Sequence, residues 1–271
     1  MPTSGPAAVL GVPYDAASSF RRGPAAAPDQ IRKALASSVG NSWSEMLVDI
    51  SAPDVLIDAG DVRFAGDDVR DAIDSEVTRV LATGVRPIVL GGDHSITFPV
   101  VRAVSRTVER LTILHVDAHA DLYDSFEGDR FSHACPFARI MEAGLAARLV
   151  QVGIRTMTRH QREQADRFGV EVIDMRGWET GVRPVVGHNE VVYLSVDIDG
   201  IDPAFAPGVS HPEPGGLTVR EVVSLIQQLD APLVAADVVE CNPEVDPSGI
   251  TPYVAAKLVK EIAAGMYRVS R

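Results

Sequence analysis

Runs of consecutive apolar, mostly β-branched residues punctuate the chain. Eight can be marked, at 7–12, 55–58, 86–90, 112–116, 149–154, 170–173, 191–196 and 233–239. Most are continuous Val/Ile/Leu stretches without in–out alternation, the signature of strands buried on both faces of a parallel sheet. Between them, apolar residues recur at helical spacing. Segment 67–82 places Val69, Ile73, Val77, Val80 and Leu81 along one face. Helices are likewise predicted over 28–36, 95–108, 135–142, 159–168, 219–229 and 252–267. Ser95 is the expected cap of the third, Thr218 with Glu221 forms a capping box, and Pro252 follows Thr251 at a first turn. Strand–helix alternation from end to end predicts one α/β domain over 1–271, with helices on both faces of the sheet. Two longer irregular segments, 121–133 and 200–216, are expected to be shaped binding loops.

The composition narrows the class. With 271 residues and 46% hydrophobic content, the chain can bury a large core. A net charge of −12 argues against nucleic acid or an anionic membrane as the main partner, and favours a cationic ligand. No apolar run approaches the roughly 20 residues of a membrane span, and the N-terminus lacks the pattern of a signal peptide. Two cysteines point to a reducing compartment, and a cytoplasmic location is the expectation.

Ligands of parallel sheets sit beyond the carboxyl ends of the strands, so the residues after each run matter most. Gly91-Gly92-Asp93-His94-Ser95 follows 86–90. Asp117-Ala118-His119-Ala120-Asp121 follows 112–116. Asp197-Ile198-Asp199-Gly200-Ile201-Asp202-Pro203 follows 191–196, and Glu240 follows 233–239. Residues two apart on an extended chain point the same way, which would place Asp117, His119 and Asp121 together. Alone, each stretch could be a capped strand end or an Asx turn. Four strand ends of carboxylate and imidazole on one edge instead predict a divalent-metal site with mixed oxygen and nitrogen ligands.

With these motifs the chain resembles the ureohydrolase family, which includes arginases and agmatinases. The match extends from Gly11-Val12-Pro13 to the C-terminal helix, through Ser18-Ser19-Phe20, 131–142, 208–217, 238–243 and 255–264. In these stretches it is more similar to plant-type arginases and their bacterial relatives than to animal ones. The resemblance implies a three-layer α/β/α fold with an eight-stranded parallel sheet, two manganese ions per subunit, and a homo-oligomer (trimer or hexamer). It implies that His94, Asp117, Asp121 and Asp197 hold one ion, and Asp117, His119, Asp197 and Asp199 the other. It casts Asp121 as a proton acceptor, His133 as the catalytic loop histidine and Glu240 as the partner of a small cationic guanidino substrate. Four ligand carboxylates against two divalent ions suit such a cation.

L-Arginine, yielding L-ornithine and urea, is the implied reaction. Agmatine is the alternative, 4-guanidinobutyrate or another guanidino acid a third reading, and a deacetylase-like metal amidohydrolase a distant one. Arg130 or Ser132 is a candidate for binding a substrate carboxylate, and Asp124, Glu127 or Asp129 for binding an amine. Asp129 stands where plant-type arginases are expected to carry Asn. Asp93 is expected to orient His94 or to cap the next helix. Asp58, Asp61 and Asp202 are read as loop structure, His115 as a packed core histidine, and His211 has no assigned role. Cys135 and Cys241 lie near His133 and Glu240, but a Cys–His hydrolase would leave the acidic cluster unexplained. Burial as small apolar groups is expected for both.

Overall fold

The computed structural model describes residues 5–66 and 68–269. The start of the second predicted helix at Asp67 and the N-terminal residues 1–4 lie outside the described residues. Eight strands form one all-parallel sheet: β1 (Ala7–Gly11), β2 (Leu56–Asp61), β3 (Arg86–Leu90), β4 (Leu111–Val116), β5 (Arg148–Ile154), β6 (Glu171–Asp174), β7 (Val191–Asp197) and β8 (Leu233–Val239). Their spatial order is β2-β1-β3-β8-β7-β4-β5-β6. The helices are α1 (Ala27–Leu35), α2 (Val69–Ala82), α3 (Thr97–Ser105), α4 (Pro136–Glu142), α5 (Arg159–Phe168), α6 (Met175–Glu179), α7 (Val219–Gln228) and α8 (Thr251–Val269).

Side-chain alternation along the strands divides the core into two layers. Ile88, Leu90, Leu114, Val116, Leu194 and Val238 pack with Ile31 of α1, Val222 and Ile226 of α7, and Leu258 and Ile262 of α8. Val89, Ile113, Tyr193 and Ala235 face the other way, onto Ile73 and Val77 of α2, Val100 and Val104 of α3, and Phe137 of α4. This is the three-layer α/β/α architecture anticipated from the sequence. Strands with helices on both faces have no solvent side, which is why their sequences read as unbroken apolar runs.

The differences are local. Asp93, not Ser95, caps the segment after β3: its Oδ1 accepts from the Ser95 N–H at 3.1 Å and starts a short 3-10 turn, His94–Ile96, ahead of α3. Helix α6 escaped the sequence reading because it is five residues long, too short for periodicity to register. Among the described residues no helix is long and apolar enough to cross a membrane.

Candidate active site

The strand order makes β3, β8, β7 and β4 the four contiguous central strands, and these are the four that end in the motif residues. Chain order separates β3 and β4 from β7 and β8, and only the crossovers bring their ends to one crevice. Asp197 is the last residue of β7, while Asp117 and Glu240 lie one past β4 and β8. His94 opens the turn after β3, and Asp199 lies within the 3-10 turn Ile198–Gly200 after β7.

Close backbone approach explains the glycines in two of the motifs. A Cβ on Gly92 would lie 1.6 Å from the Tyr14 carbonyl oxygen, and one on Gly200 2.8 Å from the Asp117 nitrogen.

His94, Asp117 and Asp199 are almost wholly buried. The His94 Nδ1 lies 3.2 Å from Asp117 Oδ2, 3.1 Å from Asp121 Oδ2 and 3.0 Å from Asp197 Oδ2. His119 Nδ1 stands 3.1 Å from Asp199 Oδ2 and 3.5 Å from Asp117 Oδ1. All six proposed ligands therefore converge, and the two imidazoles sit on opposite sides of Asp117. Asp121 adopts φ 50°, a left-handed conformation that its surroundings must hold in place.

Burial pushes Asp197 well above the usual carboxylate range, and neighbouring Asp199 and Asp117 push the same way. Asp199 is raised to about 6, first by burial and then by Asp117, against the opposing pull of His119. So much buried acid calls for a cation.

The residues fit a divalent metal on one specific count. His94 Nε2 lies 3.0 Å from Ser195 Oγ, which donates to Asp237 Oδ1 at 2.7 Å, so the serine oxygen receives the His94 Nε2–H. Nδ1 is then the nitrogen left to face the cluster. It is a buried atom without a well-formed hydrogen bond, aimed at three carboxylates. Three carboxylates around one ring nitrogen call for positive charge there, either a proton on His94, whose pKa they raise well above its usual range, or a bound metal ion. Asp117, His119 and Asp199 form a second group with ligand spacing.

Beside this cluster, His133 Nδ1 donates to Glu240 Oε1 at 2.9 Å. Burial alone would lower the His133 imidazole, but Glu240 holds it up at about 9. Its Nε2 is 2.8 Å from Ser19 Oγ and accepts the Ser19 backbone N–H at 3.2 Å, so Ser19 holds the ring from that side. Glu240 also accepts from the His94 backbone N–H at 2.9 Å and takes φ 59°. Its Oε2 is buried without a hydrogen-bond partner, and Glu240 borders an adjoining cavity of about 160 Å³. That cavity is bordered by His119, Asp121, His133, Asp197, Asp199 and Glu240; of the sequence-predicted site residues only His94 and Asp117 do not border it.

Ser19, His211 and Thr156 are among the cavity residues that carried no role in the sequence reading. Ser19 belongs to a loop pinned across the site, where the Ala17 N–H bonds Asp93 Oδ2 at 2.9 Å. His211 stands with its ring centroid 5.0 Å from that of His133. Its place in the Pro- and Gly-rich loop after β7 was the available signal. Thr156 follows β5 and also borders the cavity, with nothing in the sequence to mark it.

The expectations for the 122–132 loop are corrected. Arg130 pairs with Asp124 at 3.1 Å and Glu142 at 2.9 Å, and Asp124 is also held by Arg139. Asp129 Oδ1 accepts the Phe131 N–H, and Ser132 Oγ faces the Ala134 nitrogen at 3.4 Å. Neither these residues nor Glu127 borders the cavity; the loop contributes Tyr123 and Phe126.

Asp93 caps the turn and anchors Ala17, with no bond to the His94 ring. Asp58 and Asp61 are clamped by Arg32, and Asp202 accepts from Ala204, Gly215 and Gly216, as loop-forming residues do. Both cysteines are buried, and burial pushes each thiol up to about 12, which removes them as nucleophiles.

The Arginase family profile matches residues 6–265, nearly the whole chain. The chain belongs to the arginase family. It is 48% identical over 275 residues to "Arginase 1, mitochondrial" of Arabidopsis thaliana, covering 94% of this chain and 80% of that protein. It is 36% identical to the guanidinobutyrase of Pseudomonas aeruginosa, covering 94% of this chain and 85% of that one. The solved arginase from Medicago truncatula superposes with a TM-score of 0.92 at 47% identity, covering 97% of this chain and 88% of the other. The eight-stranded arginase fold and the ureohydrolase assignment therefore stand. The cytoplasmic expectation does not, because the Arabidopsis relative is named as a mitochondrial protein. Low cysteine use reports a reducing environment, a property that does not single out one compartment.

Proposed function

We propose that this arginase-family protein hydrolyses L-arginine to L-ornithine and urea at the cavity beside Glu240. The observation that carries the reading is Glu240, which borders a carboxylate- and imidazole-lined cavity and has a buried Oε2 without a hydrogen-bond partner. The 48% identity to a plant arginase over most of both chains supports arginine as the substrate.

In this reading His94, Asp117, Asp121 and Asp197 hold one metal ion, and Asp117, His119, Asp197 and Asp199 hold a second. Manganese is proposed for both, since carboxylate-rich sites with imidazole suit it. When bound, the metals would supply a water acidic enough to attack near neutral pH. Glu240 Oε2 receives the guanidinium N–H groups and fixes the plane of the reacting carbon. Asp121 accepts the proton released from the attacking water. His133, protonated beside Glu240, gives a proton to the departing amine, and Ser19 holds the ring in place. The C–N bond to that amine breaks, leaving urea and ornithine. The chain 1–271 is taken to act as one such domain, in a trimer or hexamer.

One observation favours agmatine as a second reading. Among the described residues no lysine or arginine borders the cavity, so a substrate α-carboxylate would meet hydroxyl, amide and imidazole groups such as Ser19, Thr158, Gln161 and His211 in place of a fixed cation. Urea release from arginine, agmatine and 4-guanidinobutyrate, with Mn²⁺ supplied, tests both. Arginine turned over fastest is the expected result. A preference for agmatine would replace the first reading with the second, and no urea from any guanidine would overturn both.

A further inference from the structure

Strand register places four polar side chains side by side across the middle of the sheet. Gln151 of β5 pairs with His115 of β4, His115 with Ser195 of β7, and Ser195 with Asp237 of β8. All four are fully buried. Two residues earlier on the same face lie the apolar Leu149, Ile113, Tyr193 and Ala235. Two residues later, on β4 and β7, lie Asp117 and Asp197. The polar row is therefore the layer directly beneath the proposed ligands.

The bonds in this row have a fixed direction. The Gln151 amide nitrogen donates to the Ala120 carbonyl at 2.7 Å, which sets the orientation of that amide. The same nitrogen lies 3.0 Å from His115 Nδ1, so Nδ1 accepts. Nε2 must then carry the hydrogen, and it lies 2.7 Å from Asp117 Oδ2. At the other end of the row, Asp237 makes Ser195 a donor and so an acceptor for the His94 Nε2–H. Phe137 stacks on His115 with centroids 3.9 Å apart and meets His94 edge-on at 5.3 Å, which restricts both rings.

We infer that this row, with His115 at its centre, is a positioning layer that holds Asp117 and His94 in their metal-binding orientation and tautomer. The inference rests on the reading of those two residues as metal ligands. His115 thus does more than pack: it presents one hydrogen to the back of the carboxylate that both ions would share. Ser195 and Asp237 do the corresponding service for the imidazole. An apolar row would pack equally well but would leave both ligands free to turn.

The test compares variants of the full chain, stripped of metal and titrated with Mn²⁺ by calorimetry, with metal analysis and circular dichroism alongside. His115→Phe keeps the ring stack and removes the donor. His115→Gln places an amide N–H near the former Nε2. His115→Phe and Ser195→Ala are expected to weaken Mn²⁺ binding about 10- to 100-fold with unchanged circular dichroism, and His115→Gln to recover much of the loss. Should His115→Phe fail to fold, Gln151→Leu removes the donor that sets the tautomer and is expected to weaken binding in the same direction. Wild-type affinity in His115→Phe, or an equal loss in His115→Gln, would overturn the inference while the ligand reading stands. A wild-type protein that takes up no metal would overturn the ligand reading itself.

Discussion

His133 and Glu240, 107 positions apart in the chain, are joined by a 2.9 Å hydrogen bond from Nδ1 to Oε1. The bond ties the proposed proton donor to the proposed guanidinium anchor, yet leaves Glu240 Oε2 free. Replacing His133 by Ala should therefore spare the metal cluster and slow turnover by about 10²- to 10⁴-fold. Metal analysis beside steady-state kinetics checks this; loss of metal in the variant would remove His133 from the role of proton donor.

Glu240→Gln keeps an acceptor for His133 and the His94 N–H but turns Oε2 into an amide. A buried charge-assisted bond to the guanidinium is lost, and KM for arginine should rise about 10- to 100-fold. An unchanged KM would place the guanidinium elsewhere.

Asp117 faces both His94 and His119. Asp117→Ala should abolish stable binding of either ion. Retention of both ions by metal analysis would refute its shared role.

Removing metal from the wild type should lower its thermal stability. Binding to the folded state alone, at about 100 times the dissociation constant, adds about 2.7 kcal/mol. For a chain of this size that corresponds to a Tm drop of roughly 5–10 °C on chelation, reversed by Mn²⁺. A Tm indifferent to chelator would argue that the buried acids are balanced in another way.

Away from the site, Asp74 of α2 is gripped by Arg102 of α3 and by Arg106 just beyond it, with Arg106 Nη1 at 2.6 Å. Burial would raise this carboxyl, but the two guanidiniums more than offset it and hold its pKa below the ordinary value. The folded state thus binds the Asp74 proton less readily than the unfolded chain. The resulting stability is present above the unfolded pKa and fades as pH falls through the folded one. Asp74→Asn should reduce stability near neutrality and flatten its decline below about pH 5, as read from denaturant midpoints across pH. Parallel pH curves for variant and wild type would contradict this. The exposure of Arg106 keeps the expected effect modest.

Much of this protein was legible in the order of its residues. Unbroken Val/Ile/Leu runs reported doubly covered strands, because burial on both faces leaves few positions for a polar side chain. The proposed ligands could be picked out because they are local: each motif sits within a few residues of a strand end, and ligand chemistry restricts the candidates to carboxylate and imidazole.

Other features had no local signature, and tertiary structure alone decided them. The crossovers make β3, β8, β7 and β4 neighbours, which turns four separate motifs into one site. Arg130 and Asp124 looked like specificity residues, yet they neutralise each other and Glu142 outside the cavity. His115 read as core packing, and buried it is. Its partners Gln151 and Asp117 become visible only through the pairing of β4 with β5 and the turn after β4. Residue type and spacing along the chain determine which groups can ligate or catalyse. Which of them meet, and which way each hydrogen points, depends on strand register and crossover, and these are set by packing across the whole sheet.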